Sequence, residues 1–556
     1  MAADPQPKPT ASAGNSLLST IRGDDDKSSV GAKPDGALSD TDTNPPAATT
    51  KTNEADDGAQ ASSSQSQEVA DLEKGPGKET GSATDKEIPE TSVGDNIVFW
   101  DGPDDPENPL NWPNWVKWSN CALISLLTFV EPLASSIFAP GVPLVLQEFN
   151  TTNTELAAFV VSVYVLGFAF GPMVLAPLSE MVGRVPVYHV CNVFFLAFTI
   201  ACAKAPSMGS LIVFRFLAGT FGAAPMTNGG GSIADMFSPE QRAGVMAVFT
   251  VGPLIGPIIG PVIGGFLTES KGWRWDFWLI TIVAGAITVA MVALMRESYA
   301  PIVLSRKAAR LRKETGNPNL RSKMDGGRTK AELFKHSIIR PSKMLIFSPL
   351  CAIFAIYLGL CYGYLYLLFT SVTFVFESTY KFSTNTVGLV YLGLGVGCII
   401  GMVIFAWDAQ REVKRSIENG GLKPEVRLKI LPYGALIFPI GFFIYGWTAH
   451  HVTHWIGPII GLVIIGIANL ICFMTICVYL VDSFETYSAS ALASNTIIRS
   501  FAGALLPLCG LKMYDKLGLG WGNTMLGLIA VPLIPVSFLI KRYGEKLRTK
   551  YEIKNL

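Results

Sequence analysis

Residues 252–265 read Gly252-Pro253-Leu254-Ile255-Gly256-Pro257-Ile258-Ile259-Gly260-Pro261-Val262-Ile263-Gly264-Gly265. Gly252, Gly256, Gly260 and Gly264 recur every four residues, so on a helix they form one smooth stripe. Pro253, Pro257 and Pro261, in the adjacent register, each remove a backbone hydrogen bond and make the helix bendable. A second stripe, Gly393, Gly397 and Gly401, lies in another apolar run further along the chain. Two such bare backbones either pack closely within one half of the molecule or meet and slide between halves. The expectation is the second, a pivot.

Working outward from this stretch, the chain shows repeated apolar runs of the length a helix needs to cross a bilayer, about 20 residues. They lie near 118–138, 156–177, 186–203, 209–233, 243–267 and 275–295, then near 346–376, 386–407, 429–448, 455–480, 489–511 and 522–541. Six runs, a long polar connection and six more predict an all-α membrane protein with twelve transmembrane helices in two six-helix bundles. The corresponding division is a disordered tail (1–95), a pre-membrane interfacial segment (96–117), a first bundle (118–295), a basic loop (296–345), a second bundle (346–541) and a short tail (542–556). Ile233-Ala234-Asp235-Met236-Phe237 closes the fourth run and Leu480-Val481-Asp482-Ser483-Phe484 the tenth, an echo of internal duplication.

Lysine and arginine orient the spans. Arg306, Lys307, Arg310, Arg312, Lys313 and their neighbours crowd the central connection. Arg184, Arg242, Arg411, Lys414, Arg415, Lys541 and Arg542 fall on the same side if the spans alternate, whereas the loop from Ile137 to Leu156 has no Lys or Arg. Both termini are therefore expected in the cytoplasm. Asn150-Thr151-Thr152 is a glycosylation sequon on the opposite side.

The polar tail, Met1 to Asp95, contains no Phe, Tyr, Trp or Cys and is too polar to offset its chain entropy by burial. No short apolar core follows Met1, so the first span is expected to act as its own insertion signal. The 44 basic and 44 acidic residues balance, which argues against a nucleic-acid partner. All nine cysteines fall in apolar runs and read as buried small hydrophobes, neither a disulfide framework nor a zinc site. No GxxxxGK[ST] loop occurs; Gly75-Pro76-Gly77-Lys78 is too short, which disfavours an ATP-driven pump. No cofactor and no metal is expected, His450, His451 and His454 in an outer loop included.

These motifs resemble the drug:proton antiporters of the major facilitator superfamily, in particular the fungal twelve-spanner group. Gly256-x-x-x-Gly260-Pro261-x-x-Gly264-Gly265-x-Leu267 matches the family's antiporter motif of the fifth helix at every defined position. Arg215, Gly219 and Gly222-Ala223-Ala224 resemble the fourth-helix motif, with one extra residue between the glycines. Pro177 to Arg184 resembles the loop motif after the second helix, with Glu180 in place of the usual Asp and Val185 where a second basic residue is common. Trp100 to Pro109, Ser305 to Gly316 and Ser490 to Thr496 look like the fungal group. The resemblance implies the major facilitator fold and a monomeric, non-enzymatic antiporter. It would export hydrophobic or amphipathic drugs, toxins or secondary metabolites against protons across the plasma membrane.

Ionisable groups inside spans suggest function by default. Glu131 and Arg215 lie at similar depth in the first and fourth spans. In the resembled fold helices one, four, seven and ten line the cavity, so a Glu131–Arg215 pair facing it would suit proton coupling. The alternative is that Glu131 caps the helix before Pro132. Glu180, Gly183, Arg184 and Asp235 form either a gate latch or a surface cluster. Tyr362, Tyr366 and Phe369 share one helix face suited either to flat apolar substrates or to core packing and an interfacial belt, and Asn228 and Asn469 are either polar contacts in the cavity or helix-to-helix hydrogen bonds. Arg499 lies inside the eleventh span with no evident partner.

Overall fold

The computed structural model describes residues 96–325, 330–418, 423–484 and 487–550. The expected tail, 1–95, lies outside these residues. With no water to satisfy backbone groups inside a bilayer, long apolar runs close their hydrogen bonds within helices. The first six spans are Asn114–Ser136, Thr154–Val182, Arg184–Ala203, Met208–Met236, Pro239–Lys271 and Arg274–Leu294. The fourth is jointed at Ala223 between Met208–Gly222 and Ala224–Met236. Local signals set the ends: Asn153 caps the second span through the N–H groups of Glu155 and Leu156, and Ser207 forms a capping box with Ser210.

The second set is Pro349–Tyr380, Thr384–Glu418, Leu431–His450 and Ile456–Ser483, followed by one stretch of 63 residues, Ser488–Lys550. That last stretch makes two crossings. Gly518 leaves helical geometry at φ +72°, and the Tyr514 phenol donates to Asn523 Oδ1 at 3.0 Å. In a straight helix residues nine apart stand about 13 Å apart along the axis. The contact therefore records a reversal, and the described residues hold twelve spans.

Each six-span set has its own core. Among the described residues, one apolar cluster draws on the first six spans and takes in Leu511, with Phe374 packed against it, from the second half, and the other draws on the last six and takes in Val165. The outer faces remain apolar, with Val193, Val289, Val403, Leu528 and Phe538 all exposed, as lipid-facing helices require. The chain is an all-α multi-pass membrane protein.

The central connection is partly helical, with Ala300–Thr315 and Lys330–Phe347. Two stretches singled out in the sequence meet here. Asp105 accepts from the N–H groups of Asp101 and Glu107, both at 2.8 Å, and pairs with Lys307 at 2.9 Å. Arg310 reaches Glu107 at 2.7 Å, and Ile97–Val98 pairs in parallel with Arg321–Ser322. The acidic turn before the first span thus clasps the basic helix.

Candidate functional site

Between the two bundles lies a cavity of about 240 Å³. Tyr362, Tyr366, Phe369 and Asn469, all expected there, line it, and Pro253, Leu254, Pro257, Ile258 and Phe473 complete much of the wall. Asn228 does not reach it: its Oδ1 accepts from Ser179 Oγ at 3.0 Å within the first bundle, because the side chain points to the second span. Among the described residues, the hydrogen bonds joining the halves gather at the Asn150 end. There Lys512 meets Glu155 at 2.5 Å, Ser162 donates to Ala504 O at 2.8 Å, and the Asn385 N–H donates to Glu269 at 2.7 Å. Tyr366 and Ser135 join hydroxyls at 2.9 Å. The cavity is closed at that end and runs toward exposed Thr250, on the side of the basic connection. Asn150 itself is exposed, in a left-handed turn at φ +48°.

Glu131 and Arg215 are each 1% exposed, yet they form no ion pair among the described residues. Arg215 donates to the carbonyls of Ala134, Ser135 and Val161 at 3.5, 2.9 and 3.3 Å and lies between the rings of Phe138, Tyr164 and Phe277. It pins the Asn150 end of the first span. Glu131 does not line the cavity; its carboxylate lies within electrostatic reach of Tyr164, Tyr188 and Cys191, and its Oε2 is buried without a hydrogen-bond partner. Pro132, the next residue, is the one that faces the cavity. Equal depth did not bring the two charges together, because helix rotation turns Glu131 into its own bundle.

The glycine stripe also differs from the expected pivot. A Cβ on Gly256, Gly260 or Gly264 would stand 2.7 Å from Phe129 O, 2.3 Å from Ser136 Oγ and 1.8 Å from Ile137 O, and Gly252 backs onto Phe129. The stripe therefore seats the fifth span on the first, within one bundle. Gly393, Gly397 and Gly401 likewise lie on Ile459, Val463 and Ile467 of the tenth span. The cross-half approach belongs to the neighbouring register: Gly265 faces Gly388, Gly388 faces Pro261 O, and Gly395 faces Ile258. Glycine serves both surfaces, for one physical reason, backbone proximity.

At the basic-loop end Arg184 Nε pairs with Asp235 at 3.4 Å, Nη1 donates to Ser179 at 2.6 Å, and the guanidinium lies over Tyr299. Glu297 accepts from the N–H groups of Arg184 and Val185 at 2.9 and 3.2 Å. Gly183 holds φ +111°, and a Cβ there would meet Glu297 Oε2 at 2.4 Å. Glu180 makes none of these contacts; Glu297 takes the carboxylate place expected for it. In the second bundle Arg427 pairs with Asp482 at 3.0 Å, so the two echoing segments carry equivalent ion pairs, each tying the end of an even span to the start of an odd one.

Residues 124–507 match the family model described as Major Facilitator Superfamily. The chain belongs to the major facilitator superfamily. This facilitator is 52% identical over 496 residues to the MFS-type transporter penM of Penicillium rubens, covering 89% of this chain and 96% of that one. It is 46% identical over 487 residues to the efflux pump radE of Floropilus chiversii, covering 86% and 90%. Among solved structures it resembles a bacterial homologue of the lysosomal transporter Spinster (TM-score 0.58, 13% identity, 80% of this chain and all of that one). It also resembles the xylose transporter XylE from E. coli (TM-score 0.57, 16% identity, 77% and 98%). These likenesses carry the fold, and the relatives make the facilitator a membrane transporter.

Two residues of this facilitator's site escaped the reading of the sequence. Asp276, on the sixth span, is fully buried, accepts from Thr268 at 2.8 Å and leaves Oδ1 unpaired, within electrostatic reach of Arg215. A lone carboxylate in Trp275-Asp276-Phe277, at a helix start, was its only signal. Glu297 sits just past the sixth span, where an acidic residue reads as loop.

Proposed function

We propose that this facilitator is a proton-coupled antiporter that exports small hydrophobic or amphipathic organic compounds by alternating access. It sits in the plasma membrane as a monomer, with both termini and the basic connection in the cytoplasm. The observation that carries the reading is the cavity between the bundles, closed at the Asn150 end and walled by aromatic and aliphatic side chains. Such a wall favours apolar bodies over sugars, whose hydroxyls would lose water without gaining partners. The name of the relative radE, an efflux pump, supports the outward direction.

Glu131 is the proposed proton carrier. An unpaired carboxylate oxygen in a dry core is costly, and a proton is the smallest partner that can reach it. Arg215 contributes by holding the first span in place through Ser135 O, and Asn469 by presenting a polar edge in the cavity. Arg184, Asp235 and Gly183 latch the basic-loop end. Efflux of rhodamine 6G from energised cells, abolished by an uncoupler, tests export; efflux indifferent to the uncoupler sinks the coupling. Glu131→Gln should abolish the proton-driven component at normal expression, and uncoupler-sensitive efflux persisting in that variant removes Glu131 from the role.

A further inference from the structure

The residues that line the cavity include a single charged side chain, Arg499, on the eleventh span. Arg499 is half-buried, and its situation differs from that of the buried Arg215 and Arg184. Arg215 spends its donors on three backbone carbonyls, and Arg184 on Asp235 and Ser179. Arg499 has neither a hydrogen bond nor an ion pair among the described residues, and its Nε is buried with no partner. What holds it is aromatic: the guanidinium carbon stands 4.9 Å from the centre of the Tyr362 ring and 5.2 Å from that of Phe473. Two ring faces fix the group by cation–π attraction and leave its N–H donors unspent.

An unpaired guanidinium in low-dielectric surroundings is costly, and the cost is recovered only when an opposite charge arrives. No carboxylate lines the cavity to supply it, since Glu131 faces its own bundle. Tyr362, Phe473 and Arg499 all line the cavity, so the partner comes by way of it. A planar guanidinium matches a two-oxygen anion, above all a carboxylate, through paired N–H donors. Elsewhere on the cavity wall Leu254, Ile258, Phe369 and Met474 offer apolar surface, suited to a ring system or hydrocarbon body.

We propose that Arg499 is the anion-recognition group of the cavity and that the transported compounds are amphipathic organic acids, their ionised oxygens on the guanidinium and their apolar bodies on the opposite wall. This deepens the export reading and rests on it for the direction of movement; recognition itself depends on neither direction nor coupling.

The test uses the full chain in lipid nanodiscs at neutral pH, titrated calorimetrically with naphthoate and with uncharged naphthalenemethanol, two probes of similar size. Wild type should bind naphthoate about tenfold or more tightly, the scale of charge-assisted hydrogen bonds. Arg499→Gln should bring the ratio to about one, and Arg499→Lys, a point charge without the fork, should keep part of it. Equal affinities in wild type, binding of neither probe, or a preference that survives R499Q overturns the assignment. Failure of the export reading would appear in the uncoupler assay instead and would leave this ratio unchanged.

Discussion

The phenol of Tyr366, on the seventh span, meets the hydroxyl of Ser135, on the first, at 2.9 Å, and the carbonyl of the same Ser135 accepts from Arg215 at 2.9 Å. Ser135 Oγ also lies 2.6 Å from Pro132 O, to which it donates, so the Tyr366 phenol is the donor across the gap. A buried arginine thus fixes one of the residues through which one half closes on the other. The cavity floor at the Asn150 end is built on that chain of contacts.

Tyr366→Phe removes the cross-half hydrogen bond and keeps the ring. The closed arrangement should lose about 1 kcal/mol, roughly fivefold in the conformational equilibrium. Spin labels at exposed Lys271 and Lys381, at the Asn150 ends of the fifth and seventh spans, report it by pulsed dipolar spectroscopy. A longer-distance population should grow in the variant, and an unchanged distribution contradicts the role.

Gly264→Ala places a Cβ 1.8 Å from Ile137 O, backbone that cannot step aside cheaply. A loss of about 1–3 kcal/mol or more is expected. Gly244→Ala, on the same helix with nothing within 4 Å, should be neutral or slightly stabilising. Thermal unfolding midpoints of the purified protein compare them. Similar midpoints would place the close approach elsewhere.

The paired latches differ in depth. Arg184 and Asp235 side chains are 10% and 19% exposed, against 18% and 27% for Arg427 and Asp482. Asp235→Asn should therefore cost about 1–3 kcal/mol and exceed the cost of Asp482→Asn. Gly183→Ala should act with Asp235→Asn, since it displaces Glu297 from the same cluster. Thermal midpoints and efflux rates of all three variants check the order, which a larger loss in Asp482→Asn would reverse.

The clasp before the first span is sensitive to acid. Burial pushes the Asp105 carboxyl up, but hydrogen bonds from Lys307 and from the N–H groups of Asp101 and Glu107 outweigh it and hold the group at about 2. A carboxyl depressed from about 3.9 in the unfolded chain contributes fully above that value and loses its contribution as pH falls toward 2. Hydrogen exchange at the Arg321 and Lys323 amides, which donate to Asn96 O and Val98 O at 2.8 and 3.0 Å, should, corrected for intrinsic rates, accelerate below about pH 4 in wild type. Asp105→Asn should exchange fast already at neutral pH. Protection that persists in the variant would show that strand pairing alone holds the segment.

Apolar run length decides how many helices cross the bilayer, because each must close its own backbone hydrogen bonds over a fixed thickness. The twelve spans, the two halves, the Asp235/Asp482 echo and the aromatic face of Tyr362, Tyr366 and Phe369 were accordingly legible in the chain. Which neighbour a helix face meets is set by the rotation of each helix and its packing angle, and these depend on all twelve at once. That is why Glu131 turns away from Arg215, why the glycine stripe seats the fifth span on the first while Pro261 and Gly265 meet Gly388, and why Asn228 is spent on Ser179. Only the folded molecule shows that Arg499 stands in the cavity between two rings with its donors free.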